Sequence, residues 1–446
     1  TFETVVYKRR KEKGKRDEAL EDLPVEVIEH TLPIEERVCP NCGGEMHEMS
    51  VEVRQELKLI PAQAIVVKHI RHIYSCRKCD REGTSTPVVT APGPNPVISG
   101  SLASPSAVAY VMNAKYVDGL PLYRQEQQLS RLGIELSRQT MANWVVKSAQ
   151  KWLFPLYERM REHLLERNIL CADETVIQVL REEGRSAESE SQMWLYRTGR
   201  DSPAIVLYEY QVGRRADYPK KFLKSFKGYL HVDGYQAYKT LPSEIILAGC
   251  WAHARRKFNE AITVLPPEQR DGPSVSREGL EHCNRLFAVE RELAQASPEE
   301  RHRGRQEKSR PILDEFREWL ERRKPEVLPK SHLGGAVNYC LNQWPYLQTF
   351  LLDGRLELDN NRAERSIKPF VVGRKNWLFS NTPKGATASA IVYSIVETAK
   401  ENGLIPFEYL SYLFDRLPNR GYDEDIDEFM PWSESLPAIC KIGKRH

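Results

Sequence analysis

The sequence predicts an α/β protein: a mixed sheet carries a long helical insertion and follows two small domains, a zinc ribbon and a three-helix, helix-turn-helix-like unit. Three observations predict it. Strand-length runs rich in β-branched and aromatic residues alternate with helical segments between 169 and 250. A charged stretch with helical period, 259–354, then separates that region from a last helical block. Ahead of the sheet stand two Cys-x-x-Cys pairs, a run of prolines and three short amphipathic segments. A chain of 446 residues is too long for one core and should form about three domains.

Residues 1–30 are polar, without apolar period, and read as a charged tail or the remnant of an upstream coiled coil. The chain opens at Thr1 inside this charged stretch, so an upstream segment is expected. In 31–85, Cys39-x-x-Cys42 and Cys76-x-x-Cys79 flank Val51–Ile60 and Ala64–Tyr74, two β-branched runs expected as strands. Knuckles on short hairpins make a zinc ribbon. Four thiolates give one structural zinc ion a closed ligand set, with no position left for a catalytic water. His47, His69 and His72 are alternative ligands but read more simply as surface strand residues. The linker 86–103 holds Pro87, Pro92, Pro94 and Pro96 and should be extended.

In 104–160, Ala107–Met112, Leu120–Leu132 and a segment N-capped by Ser137 read as three helices, with Gly133 punctuating the turn. The pattern fits a helix-turn-helix, and equally a small bundle that touches no DNA. The core is expected in 161–258 and 355–420. Its strands are Ile169–Leu180, Met193–Thr198, Ala204–Tyr210, Tyr229–Val232 and Ile245–Cys250, with a helix at Pro219–Phe226. Helices at Asn360–Phe370 and Ala386–Leu413 close it, Pro369 and Gly373 being expected to end the first, and 421–446 reads as a C-terminal tail. The Trp377-Leu378-Phe379 cluster is expected to pack in the core, and Cys171, Cys250, Cys283, Cys340 and Cys440 read as small apolar core or surface residues.

Net charge is only +3, but it is unevenly spread. Seven basic residues lie between Lys8 and Arg16 against Glu12, and six between Asn360 and Lys384 against Glu364. Clustered cations suit phosphate, although each stripe also reads as a solvated face. No apolar run reaches the roughly 18 residues that span a bilayer, and no secretory leader is legible, so no membrane partner and a cytoplasmic location are expected.

Asp173 lies in an apolar strand, where an ionised carboxylate needs a partner or a metal. Asp233 ends a strand before Gly234, the end at which open α/β sheets place ligands. Glu364 opens a helix. By spacing alone Glu174, Glu357, Asp359 or Glu397 could replace any of them, and each could serve an ordinary ion pair or cap.

Longer strings narrow the choice. His231-Val232-Asp233-Gly234-Tyr235, Gly249-Cys250-Trp251-Ala252-His253-Ala254-Arg255-Arg256-Lys257-Phe258 and Asp359-Asn360-Asn361-Arg362-Ala363-Glu364-Arg365-Ser366-Ile367-Lys368-Pro369 resemble the transposases of the insertion sequence 66 family. Ala172-Asp173-Glu174-Thr175 and the cysteine pairs follow the same order, and the likeness covers 30–420. The resemblance implies a ribonuclease-H-like core with an Asp-Asp-Glu triad at Asp173, Asp233 and Glu364, holding two catalytic magnesium ions. It implies a DNA transposase that binds terminal inverted repeats of double-stranded DNA, cuts, and joins the freed end to target DNA. A homodimer or higher oligomer on DNA is expected, with accessory proteins of the element as further partners. The family's amino-terminal zipper-like helix is not legible here, which puts dimerisation through it in doubt. His253, Arg255, Arg256, Lys257, Arg365, Lys368 and Arg138 are the expected DNA contacts. The alternatives are a nuclease or resolvase that cuts without joining, and an inactive zinc-containing DNA-binding regulator.

Overall fold

The computed structural model describes residues 63–443 except 84, 86, 202, 422 and 423, together with residues 27, 30, 33, 41 and 42. The chain divides into two units, Thr1–Ile70 and Arg71–His446. In the first unit Val51–Ile60 and Cys39 lie outside the described residues, while Cys42 is exposed in a turn. Of the run Ala64–Tyr74, only Ile73 and Tyr74 are in a strand. That strand, β1 (Ile73–Ser75), pairs antiparallel with β2 (Val88–Thr90). The partner of β1 comes from the start of the proline segment. Between the two strands Cys76 precedes a short helix α1 (Arg77–Arg81) that carries Cys79.

The rest of the proline segment is docked rather than loose. Val97 is buried, and the Trp152 indole N–H donates to its carbonyl at 2.9 Å. Three helices follow: α2 (Pro105–Tyr116), α3 (Leu122–Arg131) and α4 (Arg138–Ser148). Ser104 and Ser137 cap α2 and α4 by accepting from Ala107 and Thr140 N–H groups. A π turn leads from α4 into α5 (Phe154–Leu165). This helical region does not stand apart. Its buried residues Val108, Met112, Trp144 and Leu156 join one core with the sheet.

The sheet contains β3 (Ile169–Gln178), β4 (Glu190–Thr198), β5 (Val206–Gln211), β6 (Gly228–His231) and β7 (Ile245–Ala248), in the order β5-β4-β3-β6-β7. The first three are antiparallel neighbours, whereas β6 runs parallel to β3 and β7 parallel to β6. Helix α6 (Asp217–Phe222) links β5 to β6. On one face packs α14 (Pro383–Glu401), an Ala-, Ser- and Val-rich helix buried from Ala388 through Ala399. Its small side chains permit close approach, and Ser394 and Thr398 hydroxyls accept from the Tyr208 and Val206 N–H groups.

After β7 the chain enters α7 (Trp251–Thr263) and the insertion: α8 (Pro267–Arg270), α9 (Val275–Glu292), α10 (Pro298–Gly304), α11 (Arg310–Arg323) and α12 (His332–Leu347). The insertion owns a second core, built on Trp251, Phe258, Leu286, Phe316, Trp319 and Val337. Arg305, fully buried there, donates to both Glu290 carboxylate oxygens at 2.7 Å and to the carbonyls of Phe350, Asp353 and Leu356.

Three sequence expectations are corrected here. The helix α13 (Asn361–Trp377) does not stop at Pro369 but runs through it and Gly373. Packing explains this: the Tyr393 hydroxyl sits 2.3 Å from where a Cβ on Gly373 would lie, so only glycine admits the close crossing. The expected single helix Ala386–Leu413 is two, α14 and α15 (Pro406–Arg416), broken at Gly403 (φ +73°). Residues 421–446 are no tail through most of their length, because Phe429, Met430, Leu436 and Cys440 are buried in the main core.

Candidate active site

Three elements bring the three acids near enough that the Asp233 and Glu364 charges both act on Asp173. The parallel register pairs Cys171 on β3 with His231 on β6, so Asp173 and Asp233 stand two residues beyond the same rung. Adjacent strands lie about 4.8 Å apart, which makes the two acids neighbours. Asp173 Oδ1 accepts the Glu174 N–H at 2.8 Å. Asp233 Oδ1 accepts the Tyr235 N–H at 2.9 Å, closing a tight turn through Gly234 at φ +98°. The insertion helix α12 holds this turn from outside. Tyr339 Oη donates to the Asp233 carbonyl at 3.1 Å and Gln343 Nε2 to the Gly234 carbonyl at 3.3 Å.

Glu364 comes from the first turn of α13, where a carboxylate also meets the positive end of the helix dipole. The start of that helix is fixed to β3. Buried Asn360 donates from Nδ2 to the Ala172 carbonyl, one residue before Asp173, at 2.8 Å. Further along, buried Arg197 reaches from β4 to the Ser366 hydroxyl on α13 and to both Glu401 oxygens on α14. The Glu364 carboxylate is half-buried. Its Oε2 lies 3.5 Å from Arg256 Nη2, and its Oε1 faces His253 Nδ1 at 3.7 Å without a hydrogen-bond partner.

The electrostatics follow from this crowding. The Asp173 carboxyl is pushed up to about 8, first by burial and next by the Glu174 charge, with Asp233 and Glu364 adding to it. Burial and neighbouring like charges both disfavour the ionised form of that carboxyl. Glu174, the fourth acid, is tied off differently: Arg214 forms an ion pair with it, and Tyr238 Oη donates to it at 2.8 Å.

The segment leading into α13 is held by Glu357, which pairs with Arg200 at 2.9 Å and with Arg362 at 3.1 Å. Burial opposes the Glu357 charge, but the two guanidinium groups outweigh it and hold the carboxyl at about 2, against an ordinary 4.5. A depressed acid contributes stability that is full above its unfolded value and is lost as pH falls through its folded one. Glu357→Gln should therefore destabilise the protein near neutrality, by about 3 kcal/mol at most. The deficit should shrink as pH falls from 4.5 towards 2. Urea unfolding midpoints at several pH values check this.

The expected DNA-contact residues divide. Arg365, Lys368 and Lys375 are exposed on α13. Because that helix is continuous, Lys368 and Lys375 extend the Glu364 face. Arg138 is exposed at the start of α4, with its guanidinium over the Tyr123 ring. On α7 the basic residues are engaged within the protein. Arg255 donates to Asn284, Arg256 reaches Glu364, and Lys257 lies over the Tyr339 ring. His253 points at Glu364.

All five isolated cysteines are buried, which decides for the core between core and surface. The aromatic cluster after α13 is not. Trp377 packs against the core, but Leu378 and Phe379 are 64% and 42% exposed, with Leu378 at φ +63°. Sequence reasoning also missed Asn360, Tyr339 and Gln343 as supports of the acids. Asn360 alone carried a signal, inside the Asp-Asn-Asn-Arg-Ala-Glu string.

Fold and pocket together define an α/β protein with an acidic site built from two adjacent strands and a distant helix. A family model described as "Transposase IS66 family" matches residues 100–388, one for the zinc-finger binding domain of transposase IS66 matches 36–80, and one for the IS66 C-terminal element matches 394–432. The chain belongs to the IS66 transposase family and carries its zinc-finger domain. Its relatives include three uncharacterized proteins of Sinorhizobium fredii. One, y4qI, is 34% identical over 93% of this chain and 76% of its own. Another, y4jD, is 32% identical over 90% and 78%, and y4hP is 29% identical over 91% and 74%. Among the described residues no helix is long and apolar enough to cross a membrane.

Proposed function

We propose that this chain cuts DNA at the terminal inverted repeats of an insertion sequence and joins the freed 3′-hydroxyl to target DNA, with Asp173, Asp233 and Glu364 as the catalytic triad. One observation supports the reading: although 60 and 131 residues separate the acids in sequence, Asp233 and Glu364 both add to the rise that burial and Glu174 impose on Asp173. The order β5-β4-β3-β6-β7, with three antiparallel strands followed by two parallel ones, supports a ribonuclease-H-like core. The first acid lies on the first of these strands and the second just past the fourth.

The donor set fits a hard cation. Carboxylate oxygens are the ligands that magnesium takes, and the crowded charges around Asp173 are what such an ion would relieve. Two magnesium ions held there would supply Lewis-acid activation of the attacking oxygen and charge stabilisation of the leaving oxygen. Asp173 and Asp233 hold the cations from the rigid sheet. Glu364 closes the site from α13, whose position depends on Asn360 and Arg197. Arg365, Lys368 and Lys375 on the same helix bind phosphates and align the scissile strand. A homodimer or higher oligomer on double-stranded DNA, helped by accessory proteins of the element, would bring two ends to one target.

End recognition falls to the zinc domain and the α2–α4 region, with Arg138 at the exposed start of α4. Cys39, Cys42, Cys76 and Cys79 bind one structural zinc ion in this reading. Hydrogen bonds from the Cys79 backbone lower the Cys76 thiol below its ordinary value, which favours the thiolate that zinc takes. Chelating zinc should raise protease sensitivity within residues 30–85 while leaving the sheet domain resistant. Simultaneous loss of both would contradict a separate zinc-dependent domain.

The test is a supercoiled plasmid carrying the element's ends, incubated with protein and magnesium. Cleavage that leaves 3′-hydroxyl ends, followed by joining of pre-cut ends to a second plasmid, is the expected result. Cutting without joining would favour a nuclease or resolvase. Neither reaction, with repeat binding intact, would favour a DNA-binding regulator.

A further inference from the structure

Cys250 and His253, which the proposed chemistry does not use, stand beside Glu364, which it does. Cys250, His253 and Glu364 each bring one ligand atom to a common point, all within 4.8 Å of one another. Cys250 immediately precedes α7, and His253 lies in its first turn, so a Cys-x-x-His spacing at a helix start aims both side chains at the same spot. Cys250 is fully buried between the insertion and α13, and its sulfur accepts the Asn360 N–H at 3.2 Å. Burial pushes that thiol up to about 12, and the Asn360 and His253 N–H groups oppose the rise.

Two orphaned atoms point into the gap. His253 Nδ1 and Glu364 Oε1 are both inaccessible to solvent and neither has a hydrogen-bond partner. They face each other at 3.7 Å, too far for a hydrogen bond. Two ligands of one tetrahedral ion with bonds near 2.0–2.3 Å are separated by about 3.3–3.8 Å, so the spacing suits a shared metal. A soft sulfur, an imidazole and one carboxylate oxygen suit zinc and disfavour magnesium.

We propose that Cys250, His253 and Glu364 form a second metal site, which takes a thiophilic divalent cation such as zinc and binds Glu364 through Oε1. The ion bridges α7 and α13, and leaves Oε2 as the Glu364 oxygen facing the acid pocket. The inference rests on the proposed reading only in that it shares Glu364 with the triad.

Cobalt(II) tests it, because thiolate and imidazole ligation give cobalt an absorption spectrum that an all-oxygen site does not. Full-length protein with its zinc-finger domain already zinc-loaded is titrated with Co²⁺ alone. Wild type should bind cobalt with a thiolate charge-transfer band that both Cys250→Ser and His253→Gln remove or weaken by at least ~100-fold. Cobalt exchanging into the zinc-finger domain would persist in both variants and is thereby subtracted. Asp173→Asn should keep the band while losing DNA cleavage. The same band in wild type and both variants, or no band in any, overturns the second site and leaves the triad untouched. A band that follows Cys250 and His253 in a protein that never cuts DNA sustains the site and removes the transposase chemistry instead. His253→Gln, at a half-buried position, keeps the test open if Cys250→Ser fails to fold.

Discussion

Asp173→Asn should abolish DNA strand cleavage, by at least ~10³-fold, while making the metal-free protein more stable. The two effects have one cause. Burial and the charges of Glu174, Asp233 and Glu364 hold the Asp173 carboxyl at about 8, against an ordinary 3.8. A carboxyl raised on folding destabilises the folded state progressively as pH climbs from its unfolded value to its folded one. Stability should therefore fall across that window, and asparagine removes the penalty while its side-chain oxygen can still accept the Glu174 N–H. A displacement of this size corresponds to about 6 kcal/mol at most. Added magnesium should invert the ranking, raising the melting temperature of wild type more than that of the variant, because binding to the folded state stabilises it. Thermal unfolding at pH 6 and 8, with and without the ion, reads all of this. A variant that cuts DNA at the wild-type rate would remove Asp173 from the chemistry.

The second large effect lies in the insertion. Arg305→Met should destabilise the protein by ~3–5 kcal/mol, because it strips the partner from buried Glu290 and the donors from three loop carbonyls at once. Those carbonyls belong to Phe350, Asp353 and Leu356, in the stretch that returns the chain from the insertion to α13. Local opening there should loosen the entry to the Glu364 helix. Hydrogen exchange should rise first in 298–358 and leave β3–β5 protected. Lys308 supplies the contrast: its ion pair with Glu292 is 2.6 Å long but both partners are more than half exposed. Lys308→Met should leave the unfolding midpoint almost unchanged, because solvent screens an exposed pair. Equal effects from the two substitutions would contradict the account of Arg305 as the clamp of the insertion.

The sheet was legible because burial imposes a rule on neighbouring residues. Each of β3 to β7 falls within a few residues of the apolar runs that announced it. The acids were legible only through the strings around them, since Glu174 stands beside Asp173 and nothing in their order distinguishes them. The partners each acid finds in the fold set them apart. Glu174 is neutralised by Arg214 and Tyr238, contacts made across 40 and 64 residues that no local pattern encodes. The same holds for Tyr339 and Gln343, which grip the Asp233 turn from more than a hundred residues away. Pro369 misled for the opposite reason. Its local rule is sound, but packing of Phe370 and Gly373 against Tyr393 keeps α13 helical beyond it. The final segment offered no period at all, only scattered Phe429, Met430 and Leu436, and so read as a tail although it completes the core.

Counting bound Mn²⁺ by its paramagnetic signal, in wild type and in Asp173→Asn, Asp233→Asn and Glu364→Gln, bears most directly on the pocket itself. One shared site requires that each substitution, although drawn from a different element, weaken the same manganese ions. If Glu364→Gln binds manganese as wild type does, α13 contributes nothing to the cation site and the three acids do not form one centre.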